Sequence, residues 1–369
     1  MADNTKIEWT DATWNPITGC AVVSPGCTNC YAMKLAGTRL KHHESRKGLT
    51  KDTKAGAVWT GEVRFNRKWL DQPLRWTKPR MIFVCAHGDL FAEGVDEVWI
   101  DHVFAVMALA KQHTFQVLTK RPERMREYIR GMLSRRQFIA GYGALIWGGD
   151  RPNSVYEAID DAIANPLPNV WLGVSVEDQR RADERIPIVL DTPAAIRWIS
   201  GEPLLSDLRL SGVSEDRKRQ WNWLTGMHGV MYSDGPDFDY GPKLDWVVAG
   251  GESGPGARPM HPDWARSLRD QCAAAGVPFL FKQWGEWTEA CQGLRDAAGK
   301  HVEIDPDSYE GQSIFDGATD RLIAADGRLF TPDTLPPDTP ARLIERLGKK
   351  AAGRLLDGIE HNGFPEVRR

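Results

Sequence analysis

Three cysteines lie within eleven residues near the start of this 369-residue chain, in the stretch Gly19-Cys20-Ala21-Val22-Val23-Ser24-Pro25-Gly26-Cys27-Thr28-Asn29-Cys30-Tyr31. Gly19, Pro25 and Gly26 make it a turn-rich loop. Thiols gathered this tightly serve metal ions or disulfides, and three cannot all pair with one another. Three is also one ligand short of the four that close a tetrahedral zinc site or saturate a cubane cluster. A 4Fe-4S cluster on Cys20, Cys27 and Cys30 would leave one iron open to a small molecule, and that is the leading expectation. Zinc is the first rival, with His42, His43 or His87 as fourth ligand; a purely structural role for the thiols is the second.

Composition narrows the setting. The chain is 41% hydrophobic with a formal net charge of -3 and a mean hydropathy of -0.43. No global positive field draws it to nucleic acid or anionic lipid. The basic segments Arg39–Lys54 and Arg121–Arg136 read most simply as solvated faces. No apolar run reaches the roughly 18–20 residues of a membrane span, and the polar N-terminus has no signal-peptide pattern. The expected location is the cytoplasm, where the six cysteines (20, 27, 30, 85, 272 and 291) would be reduced. Cys85, inside Met81–Cys85, reads as a small core residue.

The elements that position these thiols follow from apolar patterning. Short runs recur at Met81–Cys85, Phe115–Leu118, Val170–Val174, Ile196–Ile199, Trp246–Ala249 and Pro278–Phe281, with Trp14–Gly19 as a first strand. Continuous runs of four or five apolar residues suit parallel strands buried on both faces. Amphipathic helices are expected between them at Val98–Lys111, Asp178–Leu190 and Pro262–Ala275. The fold class is therefore α/β, an α/β barrel or a doubly wound sheet; the expectation is a partial (βα)6-type TIM-like barrel of parallel strands with insertions and a C-terminal helical extension. The barrel would occupy residues 1–287, with insertions at about 38–60, 131–169 and 204–244, and the extension residues 288–369, ending in a helix over Pro340–Asp357. The 204–244 insertion reads as a lid or substrate-contacting segment, because long structureless loops in compact folds are usually functional or disordered.

Every strand end carries small polar or charged residues. They are His87-Gly88-Asp89, Thr119-Lys120-Arg121, Ser175-Val176-Glu177, Ser200-Gly201-Glu202, Gly250-Gly251-Glu252 and Lys282-Gln283-Trp284. In α/β barrels the active site is assembled on that face. Gly250 and Gly251 suit either close approach to a ligand or a tight turn, and Glu252 suits a ligand contact or a base. Glu202 occupies an equivalent position. Lys282 and Trp284 would line the substrate side.

Three cysteines after the first strand of a partial barrel resemble the radical S-adenosylmethionine (SAM) enzymes. More specifically, four segments make the chain similar to a phage- and prophage-associated family of uncharacterised proteins with a three-cysteine motif. They are Ile7–Cys20, Ser24–Ala32 (with Cys27 and Cys30), Gly250-Gly251-Glu252-Ser253 and Gly348–Gly358. That likeness spans nearly the full length. Most radical SAM enzymes space the cysteines three and two apart, whereas the first gap here is six. The resemblance implies that Cys20, Cys27 and Cys30 each bind one iron while the fourth chelates the amino and carboxylate groups of SAM. Reductive cleavage would then give a 5′-deoxyadenosyl radical that abstracts hydrogen from the substrate. It further implies Asp89 for the methionine amino group, Lys120 and Arg121 for its carboxylate, and Ser175 and Glu177 for the ribose hydroxyls. Glu202, Gly250 and Gly251 complete the candidate cofactor contacts, and Glu252 and Lys282 are the candidate catalytic groups. The implied partners are an unidentified substrate, with nucleic acid the best guess, a flavodoxin- or ferredoxin-like reductant, and a partner protein encoded nearby. The alternative is a zinc- or cluster-bearing nucleic-acid-binding module or scaffold of a mobile element.

Overall fold

The fold is taken from a computed structural model, which describes residues 5–214, 216, 218–233, 235–290 and 321–366. Cys291, Arg217 and much of the 288–369 extension lie outside the described residues. Seven strands form one sheet: β1 (Ala12–Trp14), β2 (Met81–Val84), β3 (Thr114–Thr119), β4 (Val170–Ser175), β5 (Ile196–Gly201), β6 (Trp246–Gly250) and β7 (Phe279–Gln283). They neighbour one another in chain order. That succession is consistent with a partial TIM-like barrel and excludes the doubly wound alternative, in which the strand order reverses at a switch point. All six apolar runs are strands of this sheet, most of them reaching one or two residues beyond the run. The first strand sits earlier than expected, at Ala12–Trp14, while Ile17–Thr18 pairs with Arg64–Phe65 instead.

The chain divides into two compact units, one running to Ser175 and including Glu184–Ile199, the other made of Val176–Asp183 and Ser200–Pro365. In the first, β1, β2, β3 and β4 pair in parallel, with Ile82 opposite both Ala12 and Phe115, and Phe115 opposite Val170. Helix α1 (Tyr31–Gly37) follows the thiol loop. Helix α2 (Glu97–Leu109) joins β2 to β3, its start capped by the Asp96 carboxylate accepting from the Val98 N–H. Two helices, α3 (Pro122–Trp147) and α4 (Pro152–Ile163), join β3 to β4. Trp9, Trp14, Phe115, Trp171 and Trp198 fill the core. Gly173 makes room for one of them, since a Cβ there would stand 2.4 Å from the Trp198 ring.

In the second unit β6 and β7 pair in parallel, Val247 opposite Phe279, with a register shift at Ala249/Gly250. Helix α6 (Pro262–Ala275) joins them and ends on Gly276 in the left-handed conformation. The remaining connection, α5 (Gln179–Leu190), links β4 to β5.

The 131–169 excursion is mostly helical, since α3 runs without a break to Trp147 and α4 follows. Two expectations are corrected. The 204–244 insertion contains a four-stranded antiparallel sheet built from Ser211–Val213, Arg219–Asn222, Met227–Tyr232 and Gly235–Tyr240. The Pro340–Asp357 helix is instead a strand, Ala341–Arg346, and a one-turn helix, Lys349–Ala352. Its first half has good helix formers, but Pro340 and Gly348 leave too few residues for a stable helix, and pairing with Arg321–Ala324 wins. Likewise residues 41–60 contain a hairpin, Thr50–Thr53 with Gly56–Trp59. No helix among the described residues is long and apolar enough to cross a membrane.

Candidate functional site

The thiol loop leaves the sheet at Gly19, which bridges in parallel to Gly88 and donates its N–H to the His87 carbonyl at 3.2 Å. Gly19 has φ +96, and a Cβ there would meet the Glu62 carbonyl oxygen at 2.3 Å, so the exit of the loop requires glycine. Pro25–Cys27 then forms a 3-10 turn, and Cys30 caps the start of α1. The five described cysteines are all free thiols.

The strand ends of the first unit converge on this loop through Arg121. Its Nη1 donates to Cys20 Sγ at 3.4 Å and to Asp89 Oδ2 at 3.2 Å; its Nη2 donates to the Ala21 carbonyl at 3.1 Å and to Glu93 Oε2 at 3.0 Å. Asp89 accepts three further hydrogen bonds, from the Phe91 N–H, the Thr119 hydroxyl and the Lys120 N–H. Lys120 Nζ donates to Ser175 Oγ at 2.9 Å. Cys20, Asp89, Lys120, Arg121 and Ser175 thus belong to one network, with Asp89 and Arg121 both buried.

Charge is distributed accordingly. Burial works against the Arg121 guanidinium, but the adjoining carboxylates outweigh it and hold the cation charged. Burial also resists ionisation of Glu93, yet its bonds to Arg121 bring it below the usual carboxylate range. The Cys20 thiol is pushed up to about 12 by burial, then by the Asp89 charge, with Cys27 and Cys30 adding to the rise. Burial likewise raises Cys30.

These effects bear on whether the loop suits a cluster. The three thiols stand near enough for ionisation of Cys20 to be opposed by the other two, and they are the right donors for iron. Among the described residues no three His, Cys, Asp or Glu side chains are gathered as a group that could hold a metal ion. Loading would therefore draw the sulfurs together and displace their protons, as thiolate ligation requires. The donor set fits in kind.

In the second unit Glu202 Oε1 accepts from Lys282 Nζ, and more weakly from Gln283 Nε2 at 3.5 Å. Glu177 is fully buried, and its carbonyl accepts the Leu205 N–H at 2.7 Å. Glu252 is also buried, its carboxylate gripped by the Arg258 backbone N–H and guanidinium. Gly250 and Gly251 serve the close approach of two backbones: a Cβ at Gly251 would lie 1.8 Å from the Trp284 carbonyl oxygen. Trp284 does not line an open face, being 1% exposed with its indole N–H on the Leu355 carbonyl.

Sequence reasoning missed Glu93 and gave Thr119, marked only as a strand-end residue, no role; they complete the grip on Arg121 and Asp89, and the carboxylate just past Asp89 was the available signal for Glu93. It also missed Arg46. An α/β protein with a free three-thiol loop fastened to carboxylate- and cation-bearing strand ends is the class that fold and site define. Over residues 4–365 the chain matches the family described as "Protein of unknown function (DUF5131)", and it belongs to that family. No curated protein and no solved structure matches it.

Proposed function

We propose that this protein is a radical SAM-like enzyme of the phage-associated three-cysteine type, built on a (βα)6-type barrel and working in the cytoplasm. The observation that carries the proposal is the fastening of the Cys20 sulfur, through Arg121, to Asp89 and Glu93 beyond the end of β2. A thiol loop serving only to hold itself together has no need of a buried, doubly paired guanidinium on one of its sulfurs. Cys20, Cys27 and Cys30 would hold a 4Fe-4S cluster. Bound there with SAM on its open iron, the cluster would supply one-electron cleavage of the sulfonium and hydrogen abstraction from a substrate.

The chain's own residues would do the remaining work. Arg121 orients the loop and neutralises the carboxylates beside it. Lys120 and Ser175, already joined by a hydrogen bond, would present a cation and a hydroxyl to polar groups of the cofactor. Asp89 has four donors on its two oxygens, so its first role is to position Lys120 and Arg121. Glu202 and Lys282 would carry a proton between them or bind a polar substrate group, while Glu252, held by Arg258, would shape its loop. A flavodoxin- or ferredoxin-like reductant would deliver the electron.

The test is anaerobic incubation of iron- and sulfide-loaded protein with dithionite and SAM. Release of 5′-deoxyadenosine at more than one equivalent per chain is the expected result. Stoichiometric zinc, no iron uptake and no SAM cleavage would reject the proposal and favour the nucleic-acid-binding or scaffold alternative.

A further inference from the structure

Arg46 is a buried cation that has no counter-charge among the described residues. Its side chain belongs to a residue only 4% exposed, and among the described residues it makes no ion pair. Its Nη1 donates to the carbonyl and hydroxyl oxygens of the adjacent Ser45, at 3.2 and 2.7 Å, and its Nε is buried with no hydrogen-bond partner. The groups of acidic chemistry acting on its charge are the Tyr31 phenol and the Cys85 thiol, and neither is a carboxylate. Arginine is almost never buried this fully unless paired, because hydrogen bonds to a neighbouring residue do not offset the desolvation of a full charge.

A second orphan lies close enough to feel its charge. His87 Nδ1 is also buried, with no partner among the described residues. The His87 backbone is fixed at both ends: its N–H donates to Asn15 Oδ1 at 2.9 Å and its carbonyl accepts from Gly19. The Arg46 turn is equally fixed, for the Thr18 hydroxyl donates to the Ser45 carbonyl at 2.7 Å and His43 Nδ1 pairs with Ser45 Oγ at 2.7 Å. Tyr31 closes the group, its hydroxyl donating to the Ala86 carbonyl at 2.6 Å and its ring meeting His87 edge-on. Burial, then the Arg46 charge, lowers His87 to about 4, so its imidazole is neutral near pH 7 and one ring nitrogen carries a proton to donate.

We propose that Arg46 and His87 form an oxyanion seat beside the thiol loop, taking a phosphate or carboxylate group of the substrate. The guanidinium offers a planar fork suited to two oxygens of one anion, and His87 offers a further donor in the tautomer that carries its proton on Nδ1. Thr18 and Gly19 carry the chain from the seat directly into Cys20, so an anion held there would place the rest of its molecule at the mouth of the thiol loop. The seat stands on these side chains alone and does not depend on iron binding.

The probes are inorganic phosphate and acetate, titrated against the full chain at constant ionic strength with chloride as reference, read by thermal shift and by the ring-nitrogen NMR signals of His87. Phosphate should raise the melting temperature and move the His87 signals, and Arg46→Met should weaken its apparent affinity at least tenfold. His87→Leu should weaken it less, and Arg46→Lys should retain part of the response. A response to phosphate alone marks a phosphoryl-bearing substrate; an equal or stronger response to acetate marks a carboxylate-bearing one. Arg130→Met, at an exposed helix position, should leave the response intact. No anion effect beyond chloride in the wild type would overturn the proposal. So would affinities for phosphate and acetate that neither Arg46→Met nor His87→Leu changes. Should Arg46→Met fail to fold, Arg46→Lys and His87→Leu with the wild-type NMR titration decide the matter.

Discussion

Replacing Arg121 with methionine removes a charge but keeps much of the side-chain volume. In the native chain Arg121 and Asp89 pair at 3.2 Å with side chains 7% and 6% exposed. Without the guanidinium, the Asp89 charge stays buried with the Phe91 N–H, the Thr119 hydroxyl and the Lys120 N–H as its donors. Breaking one side of a buried pair costs about 3–5 kcal/mol, and the three surviving donors place this case near the lower figure. The lost bond to Glu93 adds little, because that carboxylate is 63% exposed. At about 2 °C per kcal/mol for a chain this large, the melting temperature should fall by about 6 °C. Asp89→Asn should be at least as damaging, since its amide sets a donor against the donors already present at whichever oxygen it replaces. The double variant should recover about 2 kcal/mol relative to the sum of the singles, because neither charge is then left alone. Thermal and urea unfolding followed by tryptophan fluorescence give the cycle. Additive losses, or a loss below about 1 kcal/mol for Arg121→Met, would refute the claim that this pair anchors the thiol loop.

Further outcomes follow from other parts of the chain. Gly251→Ala should destabilise by about 3 kcal/mol or more through its collision with the Trp284 carbonyl, while Gly131→Ala inside α3, where a Cβ meets nothing within 4 Å, should stabilise by up to about 1 kcal/mol. Melting temperatures of the two variants compare them directly. His102 is buried against Phe65 and Tyr142 with neither ring nitrogen partnered among the described residues, and burial, then the Arg67 charge, lowers it to about 4. Its folded value lies below the unfolded one, so the unfolded chain takes up the proton first. Stability from this residue is then complete above about pH 6.5 and is lost as pH falls toward 4, by on the order of 2–3 kcal/mol. His102→Phe should flatten that part of the pH–stability curve, and an unchanged slope would show that another group carries it.

Most of the sheet was legible because six of its strands centre on short, largely apolar runs, and the thiol loop because three cysteines at close spacing have few structural uses. Lys120, Arg121, Asp89 and Ser175 were legible as strand-end residues, though their mutual bonds were not. Gly250-Gly251 admitted two accounts from sequence, and the 1.8 Å approach to Trp284 supplies the packing one. The insertion sheet was hidden because its strands bury almost nothing: Met227–Tyr232 has no buried residue, so no apolar alternation marks it. The strand Ala341–Arg346 was hidden for the opposite reason, since its composition favours a helix and only its distant partner overrules that. Arg46 sits in a Lys- and Arg-rich segment whose other cations are solvated, and nothing in the local sequence distinguishes the one that is buried.

Iron and acid-labile sulfide per chain after anaerobic reconstitution, in the wild type, Cys27→Ala and Cys272→Ala, test the central claim most directly. The account predicts about four irons in the wild type. It predicts the same in Cys272→Ala, whose thiol is buried in α6, and loss of the cluster in Cys27→Ala. Iron retained by Cys27→Ala, or lost equally from both variants, would contradict it.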